Sequence, residues 1–290
     1  MPRPSDIVDP VKRVRALRAL RSLHFAIVLT AAWVVTATPG AQDRKTLDLI
    51  LDTYVRDGFV YYRALKIDRA KLDSYVAQLG LVAPDKLSRD ERLAFWLNAY
   101  NALVLRTVVD HYPIQARSKE YPPKSIRQIP GAFERLSHRV GGSSLTLDQI
   151  EQNILPDFHD PRVYLALGRG AVGGGRLRSE AFTPERLEAQ LTEVANECAT
   201  RPECIHIDRE NNKVSVSAIF SWREKDFTSA YAGTVPSVFS NRSPIERAVI
   251  GLVGPKLLTI EKDFLDKNTF QLAYAPFDWT LNDLTGRGGR

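Results

Sequence analysis

Two primary amides, Asn98 and Asn101, stand three residues apart in an apolar stretch that is predicted to be helical, so they share one face of that helix. A buried amide without a partner costs about 1–3 kcal/mol, so both side chains need hydrogen bonds. They either tie loop backbones to the helix or position a ligand or a catalytic group. The spacing alone leaves both roles open.

Glu151 lies beside the apolar stripe of a second predicted helix. A carboxylate in apolar surroundings can have a raised pKa and serve as a general acid or base. The alternatives are a carboxylate on the helix surface, or a buried one that is paired with an arginine. If the chain is a hydrolase, Glu151 or Asp278 is the expected catalytic carboxylate, with Asn98 and Asn101 as positioning groups.

A glycine-rich loop, residues 168–176, follows the compact apolar run Val163–Leu167. That run is predicted to be a buried central strand, which includes Tyr164. Successive backbone N–H groups in such a loop can hold an anion, and Arg169 and Arg176 would add positive charge. The loop contains neither a P-loop motif nor a convincing dinucleotide fingerprint, and a merely flexible connection is the alternative.

From these features we predict that residues 168–176 line a pocket together with Asn98 or Asn101, and that this pocket prefers anionic ligands. The candidate ligand-binding residues are Asn98, Asn101, Glu151, Tyr164, Arg169 and Arg176. No arrangement of side chains in the sequence predicts a metal site or a cofactor.

The chain has two cysteines, Cys198 and Cys204, with Pro202 between them. In an oxidising compartment such a pair often forms a disulfide. Two free thiols are the main alternative. A zinc site is a poor third choice because His206 is the only further ligand nearby.

The first 41 residues resemble a secretory signal. Residues 1–24 are basic and polar, residues 25–38 carry no charge, and Pro39-Gly40-Ala41 follows. This order of segments is typical of an export signal, although cleavage after Ala37 and cleavage after Ala41 are both compatible with it. The alternative is an uncleaved membrane anchor. The expected location is therefore periplasmic or extracellular, with membrane contact only through an uncleaved signal.

Composition excludes several classes of protein. The 290 residues are 44% hydrophobic and 26% charged, which is typical of a globular chain. The net charge of +6 comes largely from the N-terminus, because the residues after position 41 hold 34 basic and 32 acidic side chains. Nucleic-acid binding therefore has little compositional support.

The longest predicted helix spans Ser88–Asp110 and begins with the capping box Ser88-x-x-Glu91. It is apolar on nearly every side, so we expect it in the core, with Leu97, Leu103 and Val104 buried. Further elements are a short extended piece at residues 58–62, a helix that starts at Thr183-Pro184-Glu185, a hairpin formed by residues 205–207 and 214–218, and a second capping box at residues 243–246.

No linker or repeat divides the chain, so we predict one α+β domain over residues 42–284, helix-rich with a small central β-sheet. The last six residues, 285–290, are expected to be a disordered tail.

The stretch Phe95–Leu103, FWLNAYNAL, resembles the hallmark helix of the domain-of-unknown-function 547 family. Five further segments resemble family motifs in the same order along the chain: residues 147–155, 163–176, 177–182, 219–227 and 277–282. The resemblance covers roughly residues 45–283.

The chain departs from the family pattern at the positions that could carry thiol or imidazole chemistry. Where the family pattern has a histidine, this chain has Tyr164, and where it has two cysteines, this chain has Arg169 and Gly174. The family pattern also has a histidine where this chain has Gln152, and an arginine near Pro156. Arginine and glycine cannot act as nucleophiles, so a thiol mechanism is not expected here.

These features favour an exported accessory or ligand-binding protein whose family site is degenerate and which binds a small anionic ligand or a component of the cell envelope. Whether the chain is an enzyme stays open at this point. The alternatives are a hydrolase acting on envelope material and a purely structural protein. The sequence does not indicate an oligomeric state.

We predict that Cys198 and Cys204 are bonded in protein recovered from the exported compartment. Thiol titration of the unreduced, denatured protein should detect no free thiol. Two free thiols would contradict both the disulfide and the expected compartment.

Overall fold

A 23-residue helix, Arg89–His111, forms the centre of the protein. It begins as predicted: the Ser88 side chain accepts from the Glu91 N–H, and the Glu91 carboxylate accepts from the Ser88 N–H. Fifteen of its residues are buried, among them Leu97, Leu103 and Val104, so its predicted place in the core is confirmed.

The computed structural model describes residues 39–284, with side chains from residue 44 onward. The predicted tail, and all but the last three residues of the predicted export signal, lie outside the described residues. In the described part, no helix is both long and apolar enough to span a membrane.

Helices dominate the described part of the chain. The α-helices are Pro39–Tyr54, Tyr62–Ile67, Ala70–Leu79, Arg89–His111, Leu147–Gln149, Arg162–Leu165, Leu187–Thr200, Ala218–Trp222, Glu224–Tyr231, Pro244–Val253 and Thr259–Asp266. A π-helical turn, Ile150–Ile154, continues the short helix before it. The 3-10 turns are Pro84–Lys86, Ile126–Gln128, Leu155–Phe158, Ser237–Phe239 and Gly254–Lys256.

The strands form small sheets. One pairs β1 (Val55–Arg56) with β2 (Phe59–Val60), a second pairs β3 (Ser137–Val140) with β4 (Ser143–Thr146), and the third contains β5 (Ile205–Asp208), β6 (Lys213–Ser217) and β7 (Gln271–Ala275). In the three-stranded sheet β5 and β6 form the predicted antiparallel hairpin, and β7 pairs with β6 in parallel. The protein is a helix-rich α+β fold, as predicted.

The apolar run 163–167 is not a strand, and this prediction was wrong. Its first part is a helical turn, Arg162–Leu165, that follows Pro161. The Ala166 N–H closes the turn by donating to the carbonyls of Arg162 and Val163. A short apolar run that is buried on all sides has no periodicity, so a strand and a helical turn cannot be told apart from sequence.

The C-terminal stretch of the described chain joins the glycine-rich loop to the N-terminal elements. The Val172 N–H donates to the Thr280 carbonyl at 2.8 Å, and the Val60 N–H donates to the Asn282 carbonyl at 2.8 Å. The buried Tyr62 hydroxyl donates to Asn282 Oδ1 at 2.8 Å. Residues far apart in sequence are thereby fixed around one core.

Close packing explains the glycines of the 168–176 loop. A Cβ at Gly175 would lie 1.8 Å from the Leu165 carbonyl oxygen, and one at Gly174 would lie 2.3 Å from the Gly168 oxygen. Both obstacles are backbone atoms, so no side-chain movement relieves them. The loop is therefore a packed structural element rather than a flexible connection.

We expect Gly175→Ala to lower the free energy of unfolding by about 3 kcal/mol or more, since backbone must move to admit the methyl group. Gly233→Ala is the matched control, because nothing lies within 4 Å of a Cβ at that exposed glycine. It should stay within about 0.5 kcal/mol of the wild type. Chemical denaturation of the three proteins measures both values, and an unchanged Gly175→Ala protein would contradict the packing described.

Candidate functional site

The most strongly charged part of the interior is centred on Glu151, which lies in the π-helical turn and is buried. Its Oε1 accepts from Arg169 Nη2 at 2.7 Å and from Arg223 Nη2 at 3.3 Å. Its Oε2 accepts from the Tyr100 hydroxyl at 3.1 Å. This one carboxylate thus links four segments of the chain, its own included. The side chains of Glu151, Arg169, Arg223, Tyr100 and Tyr164 together are called the buried charge cluster.

Arg169 comes from the glycine-rich loop and adopts a left-handed backbone conformation, with φ of 49°. Its side chain is 2% exposed. Besides Glu151, it bonds the Tyr164 carbonyl at 3.0 Å and the Leu167 carbonyl at 3.3 Å through Nη1. The predicted anion-binding residue is therefore directed into the protein and paired with an internal carboxylate.

Arg223 follows the short helix Ala218–Trp222 and places its guanidinium carbon 4.2 Å from the centre of the Tyr164 ring. Its Nη2 also donates to the Glu151 carbonyl at 3.1 Å. Among the described residues, Arg223 hydrogen-bonds only through Nη2. The Arg223 side chain is 8% exposed, and the N–H donors on its other edge have no partner among the described residues.

The surroundings of Glu151 decide between the alternatives that the sequence left open. Burial acts to raise the pKa of Glu151, but Arg169, Arg223 and Tyr100 together outweigh it and lower that pKa below its ordinary value. Burial and the neighbouring Glu151 charge raise the pKa of Tyr100. Glu151 is therefore a buried carboxylate paired with arginines, which is one of the alternatives that the sequence left open, and the direction of its pKa does not favour the general-acid alternative.

Burial likewise raises the pKa of Tyr164, with Asp226 adding to the rise and Arg223 opposing it. Asp148, on the short helix that leads into the π-helical turn, also has a raised pKa, chiefly through burial and then through Glu134 and Glu151. Two further carboxylates thus lie near the cluster without being bonded to its arginines.

The two amides of the central helix bind backbone. Asn98 donates to the Phe182 carbonyl at 2.8 Å and accepts from the Phe182 N–H at 2.8 Å. Asn101 donates to the Ala166 carbonyl at 3.1 Å and accepts from the Gly168 N–H at 2.9 Å. The structural role that the sequence left open is observed, and Asn101 fixes the segment that carries Arg169.

The glycine N–H groups are also used inside the protein. Those of Gly173, Gly174 and Gly175 donate to the carbonyls of Asp278, Ala171 and Leu167, respectively. The expected row of free donors is therefore not present in this part of the loop. The physical reason is twofold: the Gly173 N–H is taken up by the C-terminal stretch, and the loop folds back so that the N–H groups of Gly174 and Gly175 reach carbonyls at residues 171 and 167.

A small pocket lies beside this loop and is lined by residues of the loop, the helix Leu187–Thr200 and the disulfide. Gly173 to Arg176 line it, but Asn98 and Asn101 are not among its lining residues, so that part of the prediction was wrong. Arg176 is paired with Asp57 at 2.9 Å and with Glu197 at 2.8 Å.

The disulfide Cys198–Cys204 is present, with Cα atoms 5.1 Å apart. It joins the end of the helix Leu187–Thr200 to the start of β5. Among the described residues, no group of three or more His, Cys, Asp or Glu side chains could hold a metal ion.

Asp278, the second carboxylate considered for hydrolysis, is exposed, and its Oδ1 accepts from the Thr280 N–H at 2.8 Å. Glu151 and Asp278 therefore occupy different surroundings, one an internal ion cluster and the other the surface. The structure brings Tyr164, Arg169 and Glu151 together, while the bonds of Asn98 and Asn101 go to backbone.

A group of packed aromatic rings, of which one is exposed and two are half-buried, escaped the sequence reasoning. Trp222, Phe277 and Trp279, called the aromatic platform below, contact one another with ring centres 4.4–6.2 Å apart. Trp222 also lies 6.0 Å from the Arg169 guanidinium carbon. The signal was available, because these aromatics occur in the two late family-like segments, but nothing in the sequence indicated that the segments meet.

Arg223 and Tyr100 were missed for the same reason, although both lie within segments already singled out. Gln128 was missed as well: its buried side chain accepts from two backbone N–H groups and donates to three carbonyls, all within residues 117–122. A single amide thus fixes the long loop after the central helix.

Comparison with known proteins agrees with the resemblance. Residues 84–197 match the model of the family described as "Protein of unknown function, DUF547". The matched stretch contains the central helix, Glu151 and Arg169, whereas Arg223 and the aromatic platform lie beyond it. No curated protein and no solved structure matches the chain.

We expect Glu151→Gln to lower the free energy of unfolding at pH 7 by about 3 kcal/mol, because it leaves two buried arginines without their anion. Glu188→Gln is the matched control, since Glu188 is paired with Arg162 but is 79% exposed. Its loss should stay below about 1 kcal/mol. Denaturant unfolding of each variant gives these values.

The comparison of wild type with Glu151→Gln also predicts how the stabilising contribution of Glu151 changes with pH. Because the pKa of folded Glu151 is lowered, its contribution is present above the ordinary glutamate pKa and is lost as the pH falls through the folded value. The stability difference between wild type and Glu151→Gln should therefore shrink on acidification below about pH 4.5. A stability difference that grows below that pH would contradict the ionised state of Glu151 in the buried charge cluster.

Proposed function

We propose that this chain is an exported accessory protein that binds a small anionic ligand and does not catalyse a thiol- or imidazole-based reaction. The observation that supports it best is the buried charge cluster, in which two guanidinium groups share one carboxylate. Because Glu151 is ionised, the three groups carry one excess positive charge. The open edge of Arg223 is where an anion would meet that charge.

The arrangement suits anion binding in chemical terms. A guanidinium edge offers two parallel N–H donors, which match the geometry of a carboxylate or a phosphate. Stacking on Tyr164 and the bonds to Glu151 hold Arg223 in one orientation, so little side-chain freedom is lost on binding. Low exposure also weakens competition from water and salt for this contact.

The proposal that thiol chemistry is absent is supported by the loop itself. Arg169 stands at one of the two positions where the resemblance places cysteine, and Gly174 stands at the other. At Gly174 even a Cβ would lie 2.3 Å from a backbone oxygen, so a cysteine does not fit this backbone. No observation favours the hydrolase, whose proposed carboxylates and amides are separately engaged.

Export is supported by the N-terminal sequence pattern and by the disulfide, since structural disulfides form and persist in oxidising compartments. An envelope or extracellular ligand is the natural counterpart of that location. The thiol titration described above tests the compartment independently of any ligand.

We expect inorganic phosphate or sulfate to raise the melting temperature of the wild-type protein saturably, relative to chloride at equal ionic strength. Ligand binding to the native state alone produces such a shift. Arg223→Lys keeps the charge but loses the paired donors, so it should weaken the response about tenfold. The melting temperature without added anion shows whether the variant is folded.

Arg242→Lys is the matched control. Arg242 also stacks on an aromatic ring, 3.7 Å from the centre of Phe270, and is ion-paired with Glu246 at 3.0 Å. It should respond like the wild type. If phosphate, sulfate and acetate all leave the melting temperature of the wild-type protein unchanged, the proposal of anion binding is overturned. If Arg223→Lys responds like the wild type, the anion binds at a different place.

A further inference from the structure

The open edge of Arg223 has an acidic neighbour that forms no ion pair. Asp226 lies three residues after Arg223, in the first turn of the helix Glu224–Tyr231, and it is half-buried. Arg223 bonds Glu151 and not Asp226. No lysine or arginine side chain within residues 44–284 pairs with Asp226 either. This carboxylate therefore has no cation of its own in the described part of the chain.

The ring of Tyr164 connects the two charged groups. The Arg223 guanidinium carbon lies 4.2 Å from the centre of that ring, and the Asp226 carboxylate lies near enough to the ring's hydroxyl to add to the raised pKa of Tyr164. Tyr164 is 1% exposed, yet its hydroxyl forms no hydrogen bond within the described residues. A buried hydroxyl without a partner is costly, and a bound ligand would satisfy it.

The charges of this region balance once Asp226 is counted. Arg169 and Arg223 carry two positive charges, and Glu151 and Asp226 carry two negative ones. A plain anion at the open edge of Arg223 would also face the Asp226 carboxylate, and like charges that face each other lower affinity. A ligand with a cationic group beside its anionic group avoids that repulsion and gains a second ion pair. The arrangement therefore favours a zwitterion over a plain anion.

We infer that the ligand of this site is a free α-amino acid, with its carboxylate on the paired donors of Arg223 and its ammonium group on Asp226. An α-amino acid carries both groups on one carbon atom, so its two partners must lie close together. Arg223 and Asp226 meet that condition, because both contact the ring of Tyr164 or its hydroxyl. The inference rests on the proposed function, since it names the molecule whose anionic group binds at Arg223.

Asp226 also has a structural explanation, which a control variant separates from binding. Acidic residues in the first turn of a helix stabilise the positive end of its dipole. Glu224 lies in the same first turn, but it is exposed, and its charge acts on Tyr274. Glu224→Gln and Asp226→Asn thus remove the same charge from the same helical turn, and only Asp226→Asn removes it from the side of Tyr164.

The experiment titrates the full chain calorimetrically with two pairs of compounds that differ only in the α-ammonium group: L-alanine with propionate, and L-phenylalanine with 3-phenylpropionate. We expect the wild type to bind the amino acid at least tenfold more tightly than the plain acid in at least one pair. Asp226→Asn should lose that preference and bind the plain acid at least as tightly as the wild type does, because a like charge is gone.

Two further variants accompany Asp226→Asn. Glu224→Gln should keep the preference of the wild type, and Asp226→Glu, which retains the carboxylate, should keep part of it. The melting temperature of each variant without ligand shows whether it is folded. The comparison of each amino acid with its plain acid in the wild type needs no variant, so the inference can fail even if Asp226→Asn does not fold.

Three outcomes overturn the inference: equal affinity of the wild type for both members of each pair, an unchanged preference in Asp226→Asn, and an equal loss of preference in Glu224→Gln. Phosphate separates this inference from the proposed function, because Asp226→Asn should respond to phosphate at least as strongly as the wild type. An Arg223-dependent phosphate response without any preference for amino acids leaves anion binding standing and removes the α-amino acid. A wild type that binds none of these compounds removes both.

Discussion

The ionised state of Glu151 is the constraint on which the surrounding structure depends. A buried carboxylate is stable only if its charge is compensated, and here the compensation comes from Arg169, Arg223 and Tyr100. Each donor belongs to a different segment of the chain. The central helix, the π-helical turn, the glycine-rich loop and the segment after Ala218–Trp222 must therefore assemble together, because the cluster is costly when incomplete.

The glycine-rich loop shows how that assembly limits the backbone. Arg169 reaches Glu151 only because the loop turns tightly, with Arg169 itself in a left-handed conformation. The following glycines then pass within van der Waals contact of other backbone segments, where any Cβ would collide. Asn101 holds the preceding carbonyl and N–H from the other side. The glycines that resembled those of an anion-binding loop thus allow close packing of the backbone and position Arg169.

Around this interior, two kinds of surface remain for function. One is the open edge of Arg223, a cation fixed by stacking and by an ion pair, for which we propose an anion. The other is the group of Trp222, Phe277 and Trp279, whose rings pack against one another and of which Trp222 is exposed. Both lie at the segment around Trp222 and Arg223, which joins the charged interior to the exterior.

The sequence by itself determined the elements whose signals are local. The capping box at Ser88, the apolar central helix, the β5–β6 hairpin and the close cysteine pair all depend on residues near one another, and all are observed. The family resemblance likewise depends on short motifs, and it is confirmed over residues 84–197.

The tertiary structure alone decided what those residues contact. A carboxylate beside an apolar stripe is compatible with a raised or a lowered pKa, and only the arrival of two arginines, 18 and 72 residues away, settles the direction. The run 163–167 carries no periodicity, so only the structure shows that it begins with a helical turn after Pro161. The aromatic platform joins segments whose meeting no local pattern encodes, because such contacts follow from the packing of the whole chain.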